Sequence, residues 1–145
     1  MTLQDWLENS YLTEHTPSRQ EIRDLREGAE QDIRDSRVSG LSAGGRFSFA
    51  YNAALKAATT ALAAAGYRAS RNQHHFRVLG SLRFTIGADS SLIELLDRFR
   101  KKRNISVYEH PGSISDHEAD EMTALAEELR NIVDGWLKER FGEFL

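Results

Sequence analysis

The stretch FSFAYNAALKAATTALAAAG, residues 47–66, decides the fold class because its apolar side chains recur at helical spacing. One face collects Phe47, Tyr51, Ala54, Leu55, Ala58, Ala61, Leu62 and Ala65. Alanine has the highest helix propensity, and its small side chain lets a neighbouring helix approach closely. Gly66 accepts the left-handed backbone conformation that often ends a helix. The stretch therefore predicts a long helix at the centre of a helical domain.

Helical spacing continues on both sides of this stretch. A first helix is predicted after Pro17, with Ile22, Leu25, Ala29 and Ile33 on one face and its end at Gly40. Further helices are predicted over about 73–86, 90–103 and 116–141, and no alternating run of strand length is seen. The sequence predicts an all-α, up-and-down bundle of four to five helices over residues 18–145. Residues 1–17 are predicted to form an N-terminal arm or a short helix.

Helix boundaries are marked by three Ser-x-x-Glu patterns, which are typical of N-terminal capping boxes. The three pairs are Ser18 with Glu21, Ser91 with Glu94, and Ser115 with Glu118. Asn104 is predicted to end the fourth helix, and Gly87 the third.

Composition indicates an ordinary globular domain, with 40% hydrophobic and 28% charged residues and no cysteine. No secretory signal or membrane-spanning run is seen, so a cytoplasmic protein without membrane contact is expected. Charge is uneven along the chain. Residues 67–103 hold nine bases and three acids, a net +6, whereas residues 104–145 hold three bases and ten acids, a net −7. The basic middle is either an anion-binding patch or the partner of the acidic last helix.

A run of bases, RKKRNISVYEHP at residues 100–111, ends the fourth predicted helix. Leu92, Leu96 and Phe99 lie on one face, and Arg103 falls about 40° from Phe99, on the same inward side. Arg100 and Lys101 turn away and are predicted to be solvated. An inward Arg needs an anion or hydrogen-bond acceptors. Arg103 is therefore either a functional group or a structural charge, which pairs with an acid of the last helix or with Glu109, or is favoured as a cation near the helix C-terminus.

His110 is the candidate partner of Arg103. Pro111 disfavours helical geometry at His110. If the helix continues, Val107 and His110 both fall on the Arg103 side, and a His beside an Arg is an acid–base candidate.

On these residues the chain resembles the HEPN domain, an all-α family of higher eukaryotes and prokaryotes. The family motif is Arg, then four to six residues of which the first is polar, then His; here these are Arg103, Asn104 and His110. The resemblance covers about residues 18–140 and includes the Ala-rich second helix with AYNAAL.

The resemblance implies a metal-independent ribonuclease, often a toxin or antiviral effector, that acts as a homodimer with two facing motifs. It implies that Arg103 neutralises the phosphate in the transition state, that His110 carries the proton, and that Asn104 orients either group. No cofactor is implied. In the common form with four intervening residues, His would stand at position 108, where this chain has Tyr108. Related toxins carry a Tyr two residues after the His, which a partner nucleotidyltransferase modifies; here the order is reversed.

Other basic residues are candidates for RNA or nucleotide contacts, with solvated surface charge as the alternative interpretation. They are Arg100, Lys102, Arg68 and Arg71. The adjacent His74 and His75 point to different faces and cannot form a helical metal pair, so packing or capping at a helix start is expected. No carboxylate cluster has metal-site spacing, so no metal is expected.

Two functions therefore remain open. The first is a HEPN ribonuclease or toxin-like effector, a homodimer controlled by an antitoxin or nucleotidyltransferase partner. The second is a non-catalytic module that binds nucleotide, RNA or another protein.

Overall fold

The structure, a computed structural model, describes residues 1–108 and 112–145; for 107 and 108 it describes the helical backbone alone. Seven α-helices are present over these residues: α1 (Leu3–Glu8), α2 (Arg19–Asp35), α3 (Ala43–Ala64), α4 (His74–Gly80), α5 (Leu82–Thr85), α6 (Ser90–Tyr108) and α7 (Asp116–Arg140). Two short strands, β1 (Leu12–Glu14) and β2 (Tyr67–Ala69), and a final 3-10 turn (Gly142–Phe144) complete the described elements. The predicted all-α helical bundle is confirmed.

The Ala-rich helix α3 lies at the centre of the bundle and contacts α2, α4, α5, α6 and α7. Phe47 and Tyr51 are fully buried near its start, and Leu62 is buried near its end. Between them, small side chains such as Ala54 and Ala58 are completely covered, which lets α2 and α7 pack closely on either side. The central position predicted for this helix is therefore confirmed.

The sequence predicts no strand, and this is wrong at two places. β1 pairs with β2 in an antiparallel ladder in which Leu12 faces Ala69 and Glu14 faces Tyr67. Each strand has three residues, too few to show the period-2 alternation by which strands are recognised. The pairing follows from tertiary structure, since α1 and α3 bring these segments together and bury Leu12 and Ala69.

The third predicted helix, about residues 73–86, is two short helices in the structure, α4 and α5. They meet at Ser81, which is fully buried and donates its hydroxyl to the Val78 carbonyl at 2.6 Å. Such a side-chain bond competes with helical backbone bonding. Gly80 lies against Trp6 of α1: a Cβ there would stand 3.1 Å from the Trp6 ring. The break therefore sits where the N-terminal segment packs on the bundle.

Helix ends agree with the sequence in part. The capping box of Ser115 and Glu118 is present at the start of α7, and Ser18 accepts a hydrogen bond from the Glu21 amide at the start of α2. The box predicted at Ser91 is wrong, because Asp89 caps α6 by accepting from the Leu92 amide at 2.9 Å.

Two predicted helix ends are wrong. Asn104 does not end α6, which continues to Tyr108; its helix penalty is below about 1 kcal/mol and is easily overridden by packing. α2 ends at Asp35, and Gly40, with φ +92°, lies in the connection that follows.

Candidate functional site around Arg103

Arg103 lies on the inward side of α6, as the helical spacing predicts. Its guanidinium carbon is 5.5 Å from the centre of the Tyr51 ring, a cation–π arrangement with a fully buried aromatic residue of α3. Arg103 Nε is buried and has no hydrogen-bond partner among the residues that the structure describes. Within residues 1–108 and 112–145, the expected alternative of an ion pair with an acid of α7 is therefore not formed.

Tyr51 joins Arg103 to His75, the second residue of α4. The Tyr51 hydroxyl and His75 Nδ1 are 3.1 Å apart, and the two ring centres are 5.9 Å apart. Burial raises the pKa of Tyr51 to about 12, although Arg103 and Arg100 act in the opposite direction. Burial also lowers the pKa of His75, and the charges of Arg103 and Arg100 lower it further. His75 is therefore a neutral imidazole near neutral pH.

Arg100 is predicted to be solvated, and this is wrong. Its side chain is 21% exposed; Nε donates to Asp97 Oδ1 at 2.8 Å, and the guanidinium lies 5.5 Å from the Phe76 ring. The cause is α4, which packs across α6 and covers this side; the sequence did not indicate that packing. Lys101 is exposed as predicted and contacts the other Asp97 oxygen at 3.3 Å. Burial opposes ionisation of Asp97, but the bonds from Arg100 and Lys101 outweigh it and lower its pKa.

Lys102 turns the other way and pairs with Glu118 of α7 at 2.8 Å. This bond lowers the pKa of Glu118, and the Ser115 amide of the capping box contributes as well. Lys102, a predicted RNA contact, therefore links α6 to α7 through the capping box.

The remaining motif residues are placed only in part. Asn104 is half-buried and makes no side-chain hydrogen bond to a described residue. Tyr108 ends α6, and its side chain lies outside the described part of the chain. His110 lies outside the described residues altogether, as does Glu109. The proposed roles of Tyr108 and His110 stay predictions.

The charge of the basic middle is largely uncompensated. Of the nine bases in residues 67–103, only Arg100, Lys101 and Lys102 form ion pairs with residues that the structure describes. Arg77 and Arg83 lie over aromatic rings: the Arg77 guanidinium is 3.5 Å from the Tyr11 ring, and that of Arg83 is 5.9 Å from the Trp6 ring.

The acids of α7 take their partners elsewhere. Glu127 pairs with Arg37, Asp134 with Arg26, and Asp116 and Asp120 with Arg46. Apart from the Lys102–Glu118 pair, the acidic last helix therefore does not neutralise the basic middle among the described residues. This favours the anion-binding interpretation of the patch.

Arg68 and Arg71 lie away from Arg103. Arg68 is exposed on β2 and lines a cavity of about 520 Å³ together with Lys56, His15 and Glu21. Arg71 is exposed in the bend that precedes α4. No described contact joins either residue to Arg103, so they are not part of the cluster around it.

Sequence reasoning missed Tyr51 and Asp97 and assigned His75 to packing. Asp97 had a signal, since an acid three residues before an Arg on one helix forms a local pair. The contact of Tyr51 with His75 had none, because the residues belong to different helices and meet only through packing. No cluster of three or more metal-ligating His, Asp or Glu side chains occurs within the described residues.

Comparisons with protein-family models, with curated proteins and with solved structures find no match to this chain. None of the helices in the described ranges is both long and apolar enough to cross a membrane. Any function must therefore be inferred from the residues themselves.

Proposed function

We propose that the chain is a HEPN-type endoribonuclease that cleaves RNA without a metal ion and acts as a homodimer. Arg103 binds the scissile phosphate and stabilises its charge in the transition state. His110 carries the proton of the attacking 2′-hydroxyl, and Asn104 and Tyr108 orient these groups. The sequence resemblance supports the roles of His110, Asn104 and Tyr108, and the placement of Arg103 supports its own.

One observation carries the proposal: Arg103 lies on the inward side of α6, and its buried Nε has no hydrogen-bond partner among the described residues. Leaving this buried N–H without an acceptor costs about 1–3 kcal/mol. A bound phosphate would supply acceptors in the fork geometry that a guanidinium prefers. The net positive charge of residues 67–103 favours the approach of a polyanion.

The proposed reaction is attack of the 2′-oxygen on the adjacent phosphorus. His110 removes the 2′-hydroxyl proton, a bond forms between the 2′-oxygen and phosphorus, and the bond from phosphorus to the 5′-oxygen breaks. The 5′-oxygen takes up a proton, leaving a 2′,3′-cyclic phosphate and a 5′-hydroxyl. Arg103 contributes by stabilising the extra negative charge on the phosphate oxygens.

The test is digestion of a labelled single-stranded RNA by the purified protein, with and without EDTA. Arg103→Ala and His110→Ala are each expected to reduce the cleavage rate by about two to four powers of ten, since each removes a transition-state contact or the proton carrier. Tyr108→Phe is expected to cost less, because Tyr108 orients and does not carry the proton. EDTA is expected to leave the rate unchanged. Arg98→Ala, an exposed base on the same helix, is the matched control and should cleave like wild type.

Two outcomes contradict the proposal in different ways. Wild-type protein that binds RNA but leaves it intact indicates the non-catalytic module, for which the uncompensated basic patch is equally suited. Cleavage that survives His110→Ala shows that another group carries the proton. Circular dichroism of each variant verifies that the helix content is retained.

A further inference from the structure

Tyr51 fixes the hydrogen-bonding state of His75. Tyr51 is 0% exposed, and His75 Nδ1 is the one partner of its hydroxyl among the residues described. If Nδ1 carried the proton and donated to the phenol oxygen, the buried hydroxyl hydrogen would have no acceptor, which costs about 1–3 kcal/mol. The hydroxyl therefore donates to Nδ1, and the single proton of the neutral imidazole is on Nε2. His75 is thus held as a hydrogen-bond donor through Nε2.

Arg103 and His75 both border Tyr51, from α6 and α4 respectively. Arg103 stacks on the Tyr51 ring, and His75 accepts from its hydroxyl. Among the described residues, the charged groups near them are Arg100 and Asp97 from α6, and His74 is the titratable neighbour on α4. Arg103 and Arg100 lie near one described carboxylate, that of Asp97, so the described groups carry one surplus positive charge while His75 is neutral. A phosphate group, with one or two negative charges, matches that surplus.

We propose that Arg103 and His75, with Tyr51 fixing the His75 ring, form a binding site for one phosphate group of a nucleotide or of a single-stranded nucleic acid. Arg103 donates from its guanidinium, and His75 donates from Nε2. The inference adds His75 and Tyr51 to the site of the proposed function and rests on that function for the presence of a phosphate at Arg103. Tyr51 is a positioning residue, since it acts through His75.

Phosphate binding at this site is coupled to proton uptake. In the free protein, burial and the charges of Arg103 and Arg100 hold His75 neutral. A phosphate offsets those cationic charges and accepts from the imidazolium, so it raises the pKa of His75. Asp97 does not supply this negative charge to His75, because its two oxygens are taken by Arg100 and Lys101.

The experiment is an NMR titration of the histidine ring signals, with His75 assigned by its loss in His75→Gln. Two probes are used: inorganic phosphate, and a single-stranded oligodeoxythymidylate, which has no 2′-hydroxyl and cannot be cleaved by the proposed reaction. Saturation with either probe is expected to raise the His75 pKa by about one unit, with ¹⁵N shifts that report an Nε2–H tautomer before binding. His117, exposed on α7, is the internal control and should not respond. The tighter probe tells whether the site takes free phosphate or a nucleic-acid backbone.

Variants separate this site from a general charge effect. Arg103→Gln is expected to weaken binding of the oligodeoxythymidylate at least tenfold, because it removes a charged donor. Arg98→Gln removes the same charge from an exposed position of α6 and should weaken it far less. Tyr51→Phe should weaken it severalfold and mix the two His75 tautomers. His75→Gln should reduce the pH dependence of binding between about pH 5 and 7.

An unchanged His75 pKa at saturating concentrations of both probes overturns the proposal, as does equal weakening by Arg103→Gln and Arg98→Gln. Failure to bind either probe also overturns it. The wild-type titration alone is decisive even if a variant does not fold. A positive titration with no RNA cleavage leaves this site standing and removes only the proposed reaction. RNA cleavage without a change in the His75 pKa leaves the proposed reaction standing and removes this site.

Discussion

At the scale of single residues, the contact between Tyr51 and His75 sets the chemistry of the candidate site. Tyr51 keeps its proton because burial raises its pKa to about 12, and His75 stays neutral because burial and two guanidinium groups lower its pKa. Because the pKa of His75 is lower in the folded protein than its ordinary value, the stability of the fold depends on pH. The unfolded chain binds the His75 proton more readily than the folded protein does.

We predict that the free energy of unfolding falls as the pH is lowered from about 7.5 to about 5.5, and that His75→Gln reduces this fall. In the unfolded state His75 has its ordinary pKa near 6.5. Within this pH window the unfolded state therefore binds a proton that the folded state does not bind. Urea unfolding at several pH values measures the effect. Asp97 and Glu118 do not interfere, because their lowered pKa values affect stability only below about pH 5.

His117→Gln is the control for this measurement. His117 is exposed and pairs with Glu121 one turn away, so its removal should leave the fall between the two pH values nearly as in wild type. Parallel curves for wild type and His75→Gln would show that His75 is not held neutral by the fold.

The sequence predicts the inward position of Arg103 but not its contacts in this site. Arg103 is found because it continues the row of Leu92, Leu96 and Phe99 on one helix, a local regularity. Arg103 contacts Tyr51, and Tyr51 contacts His75, so the site joins three helices. The spacing of residues along the sequence does not predict how these helices are placed relative to one another. The solvent exposure predicted for Arg100 is wrong for the same reason, since the element that covers it, α4, is distant in sequence.

At the scale of elements, the start of α6 shows how two local signals compete. Asp89 and Ser91 are both good N-cap residues and stand two positions apart. The structure uses Asp89, whose Oδ1 accepts from the Leu92 amide, and starts the helix at Ser90. An acid at this position also interacts favourably with the positive end of the helix dipole, which Ser91 cannot do.

We predict that Asp89→Ala lowers the free energy of unfolding by about 1 kcal/mol, the usual cost of losing an N-cap. Ser91→Ala should change it by less than about 0.5 kcal/mol, because this exposed side chain makes no cap bond. Chemical denaturation of the two variants and the wild type gives the comparison. A larger loss for Ser91→Ala than for Asp89→Ala would move the start of α6 to the position that the sequence suggested.

Long helices with strong periodicity, α2, α3 and α7, are predicted from sequence because each carries a continuous apolar face and a clear cap. Short elements are not predicted from sequence in this way. The break at Ser81 and the two three-residue strands depend on where Trp6 and Leu12 pack, and those contacts join segments that are far apart in the sequence. Their stability lies in tertiary contacts and leaves no local pattern.

At the scale of the whole molecule, the separation of acidic from basic side chains affects how two copies of the chain associate. Four acids of α7 pair with Arg26, Arg37 and Arg46, whereas most bases of the middle segment have no ion-pair partner among the described residues. A symmetric dimer that brings two such faces together needs a shared anion or an apolar contact to offset the repulsion. Ile105, 40% exposed beside Asn104 on α6, is the apolar side chain next to the motif that such a contact would use.

We predict that the protein is a dimer at tens of micromolar, through the face of α6 that carries Ile105. Ile105→Glu should give a monomer, because it places two like charges at the two-fold axis. Ile132→Glu on α7 is the matched control, with the same 40% exposure, and should remain a dimer. Light scattering measures the mass. A wild-type monomer contradicts the dimer, and dissociation by Ile132→Glu alone would place the interface on α7.

The pairing of β1 with β2 has a consequence for the order in which the chain folds. The ladder joins Glu14 to Tyr67 and encloses the whole of α2 and α3, so its closure entropy is offset only once those helices have docked. The two strands are therefore expected to pair late in folding and to separate early when the structure opens. Because Trp6 and Leu12 are the two buried residues of the segment before α2, that segment is expected to detach and return as a unit while the bundle stays intact, so its amide hydrogens exchange well before those of α3.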